Sequence, residues 1–145
     1  MSTSSDLTPG AGVARLVDEF YTRVRADDCI GPIFNDIAKV NWAAHLPKMY
    51  AFWDSVLFGV PGFKGNPLAV HLLLAQQTPL TAREFDRWVS LFHATVDDLF
   101  EGPMATEAKQ RAVRIATMMQ YHIAAATGAL PPEGRTVRSA GDGRT

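Results

Sequence analysis

A chain of 145 residues, 47% hydrophobic and 20% charged, suits one soluble domain with a sizeable core and is too short for two. A net charge of −1, with no run of Lys and Arg interleaved with aromatics, argues against a nucleic-acid surface. One cysteine, Cys29, forbids an internal disulfide. No Cys/His spacing suggests zinc, no apolar run approaches the roughly 20 residues of a membrane span, and the polar start is no signal peptide, so a cytoplasmic protein without membrane insertion is expected.

Residues 1–10 are small and polar and read as a flexible arm. From Ala11 the pattern becomes helical: Val13, Leu16, Val17, Phe20, Tyr21 and Val24 recur every three or four places, opposite Arg15, Asp18, Glu19, Arg23 and Arg25. Tyr21 rides on this stripe, either as a packed ring with its hydroxyl in solvent or as a functional donor. Asp27 and Asp28 end the helix, and Gly31-Pro32 makes a corner capped by Ile33 and Phe34.

A second helix follows Val40. His45, Met49, Phe52 or Trp53, and Val56 share one face, which puts a histidine on an inward stripe. Pro47 lacks an amide and clashes with the preceding turn, at a cost of about 3 kcal/mol inside a helix. The regular helix is therefore expected to start close to His45 or to kink there, and Gly59 ends it.

The stretch Pro61 to Leu74 opens with breakers, Pro61, Gly62, Gly65 and Pro67, and then sets His71 in an apolar run of Leu68, Ala69, Val70, Leu72, Leu73 and Leu74. A buried imidazole needs hydrogen-bond partners or a taker for a lone pair. His71 is thus either a core residue bonded to a carbonyl or a metal ligand.

Thr81 and Glu84 form a capping box that starts the clearest helix, with a stripe of Phe85, Trp88, Val89, Phe92, Val96, Leu99 and Phe100. Glu101-Gly102-Pro103 breaks it, and a last helix over 106–127 faces Ala108, Ala112, Ile115, Met119, Ile123 and Ala126 inward before Gly128. Residues 129–145 carry only Leu130 and Val137 as large apolar side chains and are expected to be disordered, leaving 11–128 as the domain. No segment alternates with period two, so the fold class is all-α.

The fragments FYTRVRADDCIGPIF, NWAAHLPKMYAFW, GNPLAVHLLL and EFDRWVSLF, in that order and spacing, resemble the truncated haemoglobins, specifically their third group, the P-type. The resemblance runs from about Val13 to Ile123. It implies a globin-like, two-on-two helical sandwich around a b-type haem (iron protoporphyrin IX), with His71 as the proximal iron ligand and the sixth position left open. It also implies Phe34 wedging the porphyrin, Tyr21, His45 and Trp88 around bound ligand with Met49 beside them, and Lys48 near a propionate. Phe52, Phe63, Leu68, Leu72, Val89, Phe92 and Met119 are candidate walls. The function implied is binding of dioxygen and other diatomic gases at ferrous iron. Alternatives are a redox enzyme acting on nitric oxide or peroxide, supplied with electrons by a partner reductase, and a haem-free helical interaction module.

Overall fold

The computed structural model describes residues 4–128, so the expectation for residues 129–145 lies outside the described residues. Five α-helices follow one another: α1 (Ala11–Ala26), α2 (Trp42–Phe58), α3 (Pro67–Ala75), α4 (Ala82–Leu99) and α5 (Pro103–Thr127), with a π-helical turn, Ile33–Ile37, between α1 and α2. No strand occurs among the described residues, and no helix is long and apolar enough to cross a membrane.

Two antiparallel pairs make the sandwich. Along α1 and α2, Gly10 N donates to Asp54 Oδ1 at 3.0 Å, Tyr50 donates to Asp18, and the Tyr21 and His45 rings lie 5.4 Å apart. Contacts that climb one helix thus descend the other. The short link from Leu99 to Pro103 folds α5 back on α4, where Lys109 Nζ reaches Asp97 at 2.6 Å and the Lys109 carbonyl accepts from His93 Nε2 at 3.0 Å. The pairs meet where α1 crosses α4, over a core of Val13, Leu16, Val17, Phe20, Val24, Phe92 and Val96.

Each end has a local cause. Asn41 Oδ1 caps α2 by accepting from Ala44 N at 3.3 Å, which starts the helix at Trp42, ahead of His45. Pro47 therefore sits inside α2. The amide it lacks would have bonded Ala43, which lies exposed and can be met by water. Gly59, at φ 67°, supplies the left-handed stop. The capping box forms as expected, with Glu84 Oε1 accepting from Thr81 N at 2.7 Å.

The arm differs from expectation within its described part. Asp6 accepts from Met104 N at 3.0 Å and Ala105 N at 2.9 Å, Ser5 O accepts from Glu101 N, and Leu7 is 2% exposed in the core. An acid from the start of the chain thus caps α5, which begins at Pro103 and not at Thr106. Ala126, expected to face inward, is exposed, and Ala116 is buried instead.

Asp27 holds the corner after α1. One carboxylate oxygen accepts from the Cys29 and Ile30 amides at 3.0 Å, and the other meets Arg87 of α4 at 2.7 Å. Burial pushes its pKa up, but the Arg87 bond and the two amides outweigh burial and leave it below the ordinary value. The corner lies so close to α1 that a Cβ on Gly31 would stand 2.9 Å from the Arg25 carbonyl oxygen. A side chain there would push the whole turn, with Ile33 and Phe34, off the helix.

Candidate functional site

A cavity of about 330 Å³ opens between the corner, α2, α3 and the α4–α5 pair. That volume falls within the range of small-molecule pockets. Its wall is mostly apolar: Ile30, Ile33 and Phe34 from the corner, Met49, Phe52 and Trp53 from α2, and Phe63, Val70 and Leu74 from α3 and its approach. Leu80, Phe85, Trp88, Ile115, Ala116 and Met119 close the rest. Four aromatic side chains stiffen one side: Trp53 stacks on Phe92 at 4.8 Å, Phe92 stacks on Trp88 at 5.8 Å, and Phe20 meets both Trp88 and Phe92 edge-on.

Lys48, Lys64, Asn66, Glu84 and two histidines break the apolar lining. His71, on α3, has Nδ1 2.6 Å from the Pro67 carbonyl oxygen one turn back. Because a carbonyl only accepts, Nδ1 carries the proton and Nε2 keeps its lone pair. Burial pushes the His71 pKa down, against the Pro67 bond, which favours this neutral form. His45, on α2, has a buried Nε2 with no hydrogen-bond partner. Burial, then the charges of Lys48 and His71, push its pKa down as well. A buried nitrogen left unpaired in a native fold calls for a reason, and a missing ligand is one.

Tyr21 lies directly behind this wall. It is 6% exposed, and its ring sits 5.4 Å from His45, 5.4 Å from Trp42 and 5.9 Å from Phe34. The ring is packed, and burial pushes its pKa up so that the phenol stays protonated.

The structure therefore brings Phe34, His45, Lys48, Met49, Phe52, Phe63, His71, Trp88 and Met119 to one cavity, with Tyr21 immediately behind. It does not bring Leu68 and Leu72 to the wall. Val70 and Leu74 take those places, and Leu72 packs on the small core of Phe85, Ala116, Met119 and Ile123. Val89 joins that same core and Phe92 stands one layer back, stacked between Trp53 and Trp88. Trp53, offered in the sequence only as an alternative to Phe52, lines the cavity beside it, since neighbours at the inner edge of a wide helical stripe can both face in.

Sequence reasoning missed Trp42 and Lys64. Trp42 packs against Tyr21, Phe34 and His45. Its one signal was its place directly after the capping Asn41, three residues before His45. Lys64 lies at the cavity mouth with Lys48, and a lysine beside Gly65 carries no pattern that marks it out.

The residues present fit a haem. His71, its Nδ1 committed to Pro67, offers the Nε2 lone pair to a metal, the walls suit a flat apolar macrocycle, and Lys48 and Lys64 at the mouth suit carboxylate substituents. A helical sandwich that holds a histidine with a free lone pair in such a cavity defines the globin class of haem-binding proteins.

Known proteins give the same answer. The bacterial-like globin family matches residues 7–124. A group 3 truncated haemoglobin of Campylobacter jejuni is 33% identical over 111 residues, spanning 74% of this chain and 85% of the relative. The crystal structure of the group III truncated haemoglobin from Campylobacter jejuni aligns with a TM-score of 0.68 at 33% identity, over 77% of this chain and 87% of that one. The chain belongs to the bacterial-like globins and, among them, to the group III truncated haemoglobins.

Proposed function

We propose that this globin holds a b-type haem in the cavity, with His71 Nε2 as the residue that would ligate its iron, and takes up dioxygen or another diatomic gas. The observation that carries the reading is the His71 geometry. A ring whose Nδ1–H is committed to Pro67 O presents Nε2 to the cavity in the form a metal needs. Haem, when bound, would supply a ferrous iron able to take a diatomic gas.

The chain's residues do the rest. Phe34, Phe52, Val70 and Leu74 exclude water from the cofactor's faces, and Lys48 and Lys64 pair with its carboxylates at the mouth. Tyr21, His45 and Trp88 form the polar distal group, and Met49 keeps its surroundings apolar. Tyr21 and Trp88 are neutral donors, which serve a partly anionic ligand without adding a charge to an apolar space.

Purified protein given haem is expected to show a Soret band and the spectra of a histidine-ligated ferrous haem. His71→Ala is expected to lose stable haem retention. A chain that takes up no haem, or a His71→Ala variant with an unchanged Soret band and unchanged affinity, overturns the reading.

A further inference from the structure

His45 faces the cavity with nothing polar to orient it, because its Nε2 is buried and unpartnered. No side-chain hydrogen bond from a described residue holds the ring, and aromatic neighbours pack on it. Two of them touch it: Tyr21, edge-on at 5.4 Å and 83°, and Trp42, edge-on at 5.5 Å and 87°. Trp42, like Tyr21, touches every other ring of the group. It also tilts against Tyr21 at 5.4 Å and stacks on Phe34 at 6.0 Å and 26°. On another side, the Arg25 guanidinium sits over its ring at 4.8 Å. Arg25 is in turn tied to the corner, since its carbonyl accepts from Asn35 Nδ2 at 3.1 Å. Trp42 does not line the cavity, and what it touches there are the Phe34 and His45 rings that do.

We propose that Trp42, clamped from outside by Arg25, is the positioning residue that holds the His45 imidazole in one orientation and so governs passage of a diatomic ligand past it. The proposal rests on the haem-cavity reading above. Position 42 opens α2, where the first turn lacks backbone partners of its own and is its loosest part. A cation–π contact from Arg25 adds attraction at the place where the helix would otherwise fray. Without Trp42, His45 loses one of its two ring neighbours and has no hydrogen bond to replace it.

The test uses haem-loaded, reduced protein with carbon monoxide as the probe. Its infrared stretch reports what surrounds the ligand, and its association rate reports entry. Wild-type protein is expected to give one narrow band. Trp42→Leu is expected to add a second band and to change the association rate by about tenfold, the size of one lost aromatic pair. Trp42→Phe should keep the single band. Arg25→Gln, which removes only an exposed group, should broaden it without lowering the melting temperature appreciably.

In a His45→Leu background, Trp42→Leu should change the rate less than about twofold, because the two act in series. A Trp42→Leu variant with the wild-type band and rate overturns the proposal, and so does an equal effect with and without His45. If Trp42→Leu does not fold, Arg25→Gln decides through the same band. A chain that takes no haem defeats the cavity reading alone, because the positioning claim is also read by proton NMR of the haem-free chain. There the His45 imidazole resonances, shifted by the Trp42 and Tyr21 ring currents, should move toward free-histidine values in Trp42→Leu. Unmoved resonances sink it.

Discussion

Tyr21 is a donor whose proton is secure, since burial pushes its pKa up, away from neutral pH. The hydroxyl can then donate to a partly anionic ligand but cannot compete as an anion for the iron. A hydrogen bond of this kind contributes about 1 kcal/mol net, somewhat more to a charged acceptor. Tyr21→Phe keeps the ring that packs on Phe20, Trp42 and His45 and removes only the donor. The dissociation rate of dioxygen should rise about five- to tenfold, with little change in melting temperature. Stopped-flow displacement by carbon monoxide measures that rate, and an unchanged value would take Tyr21 out of the distal group. His71 stood out in the sequence as an imidazole in an apolar run between breakers, but the residues left core histidine and metal ligand open, and only the ordered company of Tyr21, Phe34, His45 and Trp88 implied the second. Trp42 did not stand out, because its contacts come from α1 and the corner as well as from its own helix, and a single tryptophan at a helix start looks like any packed ring.

The long elements were legible because they are amphipathic. α1 and α4 show one apolar stripe each, and the structure buries Val13, Leu16, Phe20, Phe85, Phe92 and Val96 where the three-and-four spacing puts them. α3 is apolar nearly all round, PLAVHLLLA, so its sequence carries no phase. Any face could turn in, and Leu68 and Leu72 were as reasonable as Val70 and Leu74, which line the cavity. The cap of α5 was illegible for a different reason: it comes from Asp6, at the far end of the chain. Burial raises the Asp6 pKa, but the amides of Met104, Ala105 and Leu7 outweigh it and leave it below the ordinary 3.8. A carboxylate with a lowered folded pKa contributes stability above its unfolded pKa and loses it as pH falls through the folded one. Asp6→Ala should therefore cost about 1–2 kcal/mol at neutral pH, as lost caps do. The gap between wild type and variant should close below about pH 4, where the acid is protonated in the unfolded chain and then in the folded one. Thermal melts across pH 2.5–7 check this, and a gap independent of pH would mean that Asp6 acts through packing against Gly102 alone.

At the scale of the molecule the sandwich is uneven, and the unevenness falls at the site. α1, α4 and α5 share the buried core, whereas none of the nine residues of α3 is buried, and Val70 and Leu73 are 61% and 62% exposed. An apolar helix with so little packed surface gains little from folding alone, since helices this short are marginal without tertiary contacts. The face that carries Val70, His71 and Leu74 looks into the cavity, so whatever fills the cavity completes the packing of α3. Haem binding and ordering of α3 should then be one event. A ligand present at a thousand times its dissociation constant adds about 4 kcal/mol to the folded state, which for a domain of this size moves the melting midpoint by roughly 10–20 °C. Hydrogen exchange locates the gain. In the haem-free protein the amides of residues 68–75 should exchange far faster than those of α1 and α4, and haem should slow them selectively. His71→Ala should abolish both the shift in midpoint and the slowing while leaving exchange in α1 and α4 as before. Equal midpoints with and without haem, or protection spread evenly over all five helices, would show that α3 is held by the protein alone and that its breakers serve only to turn the chain.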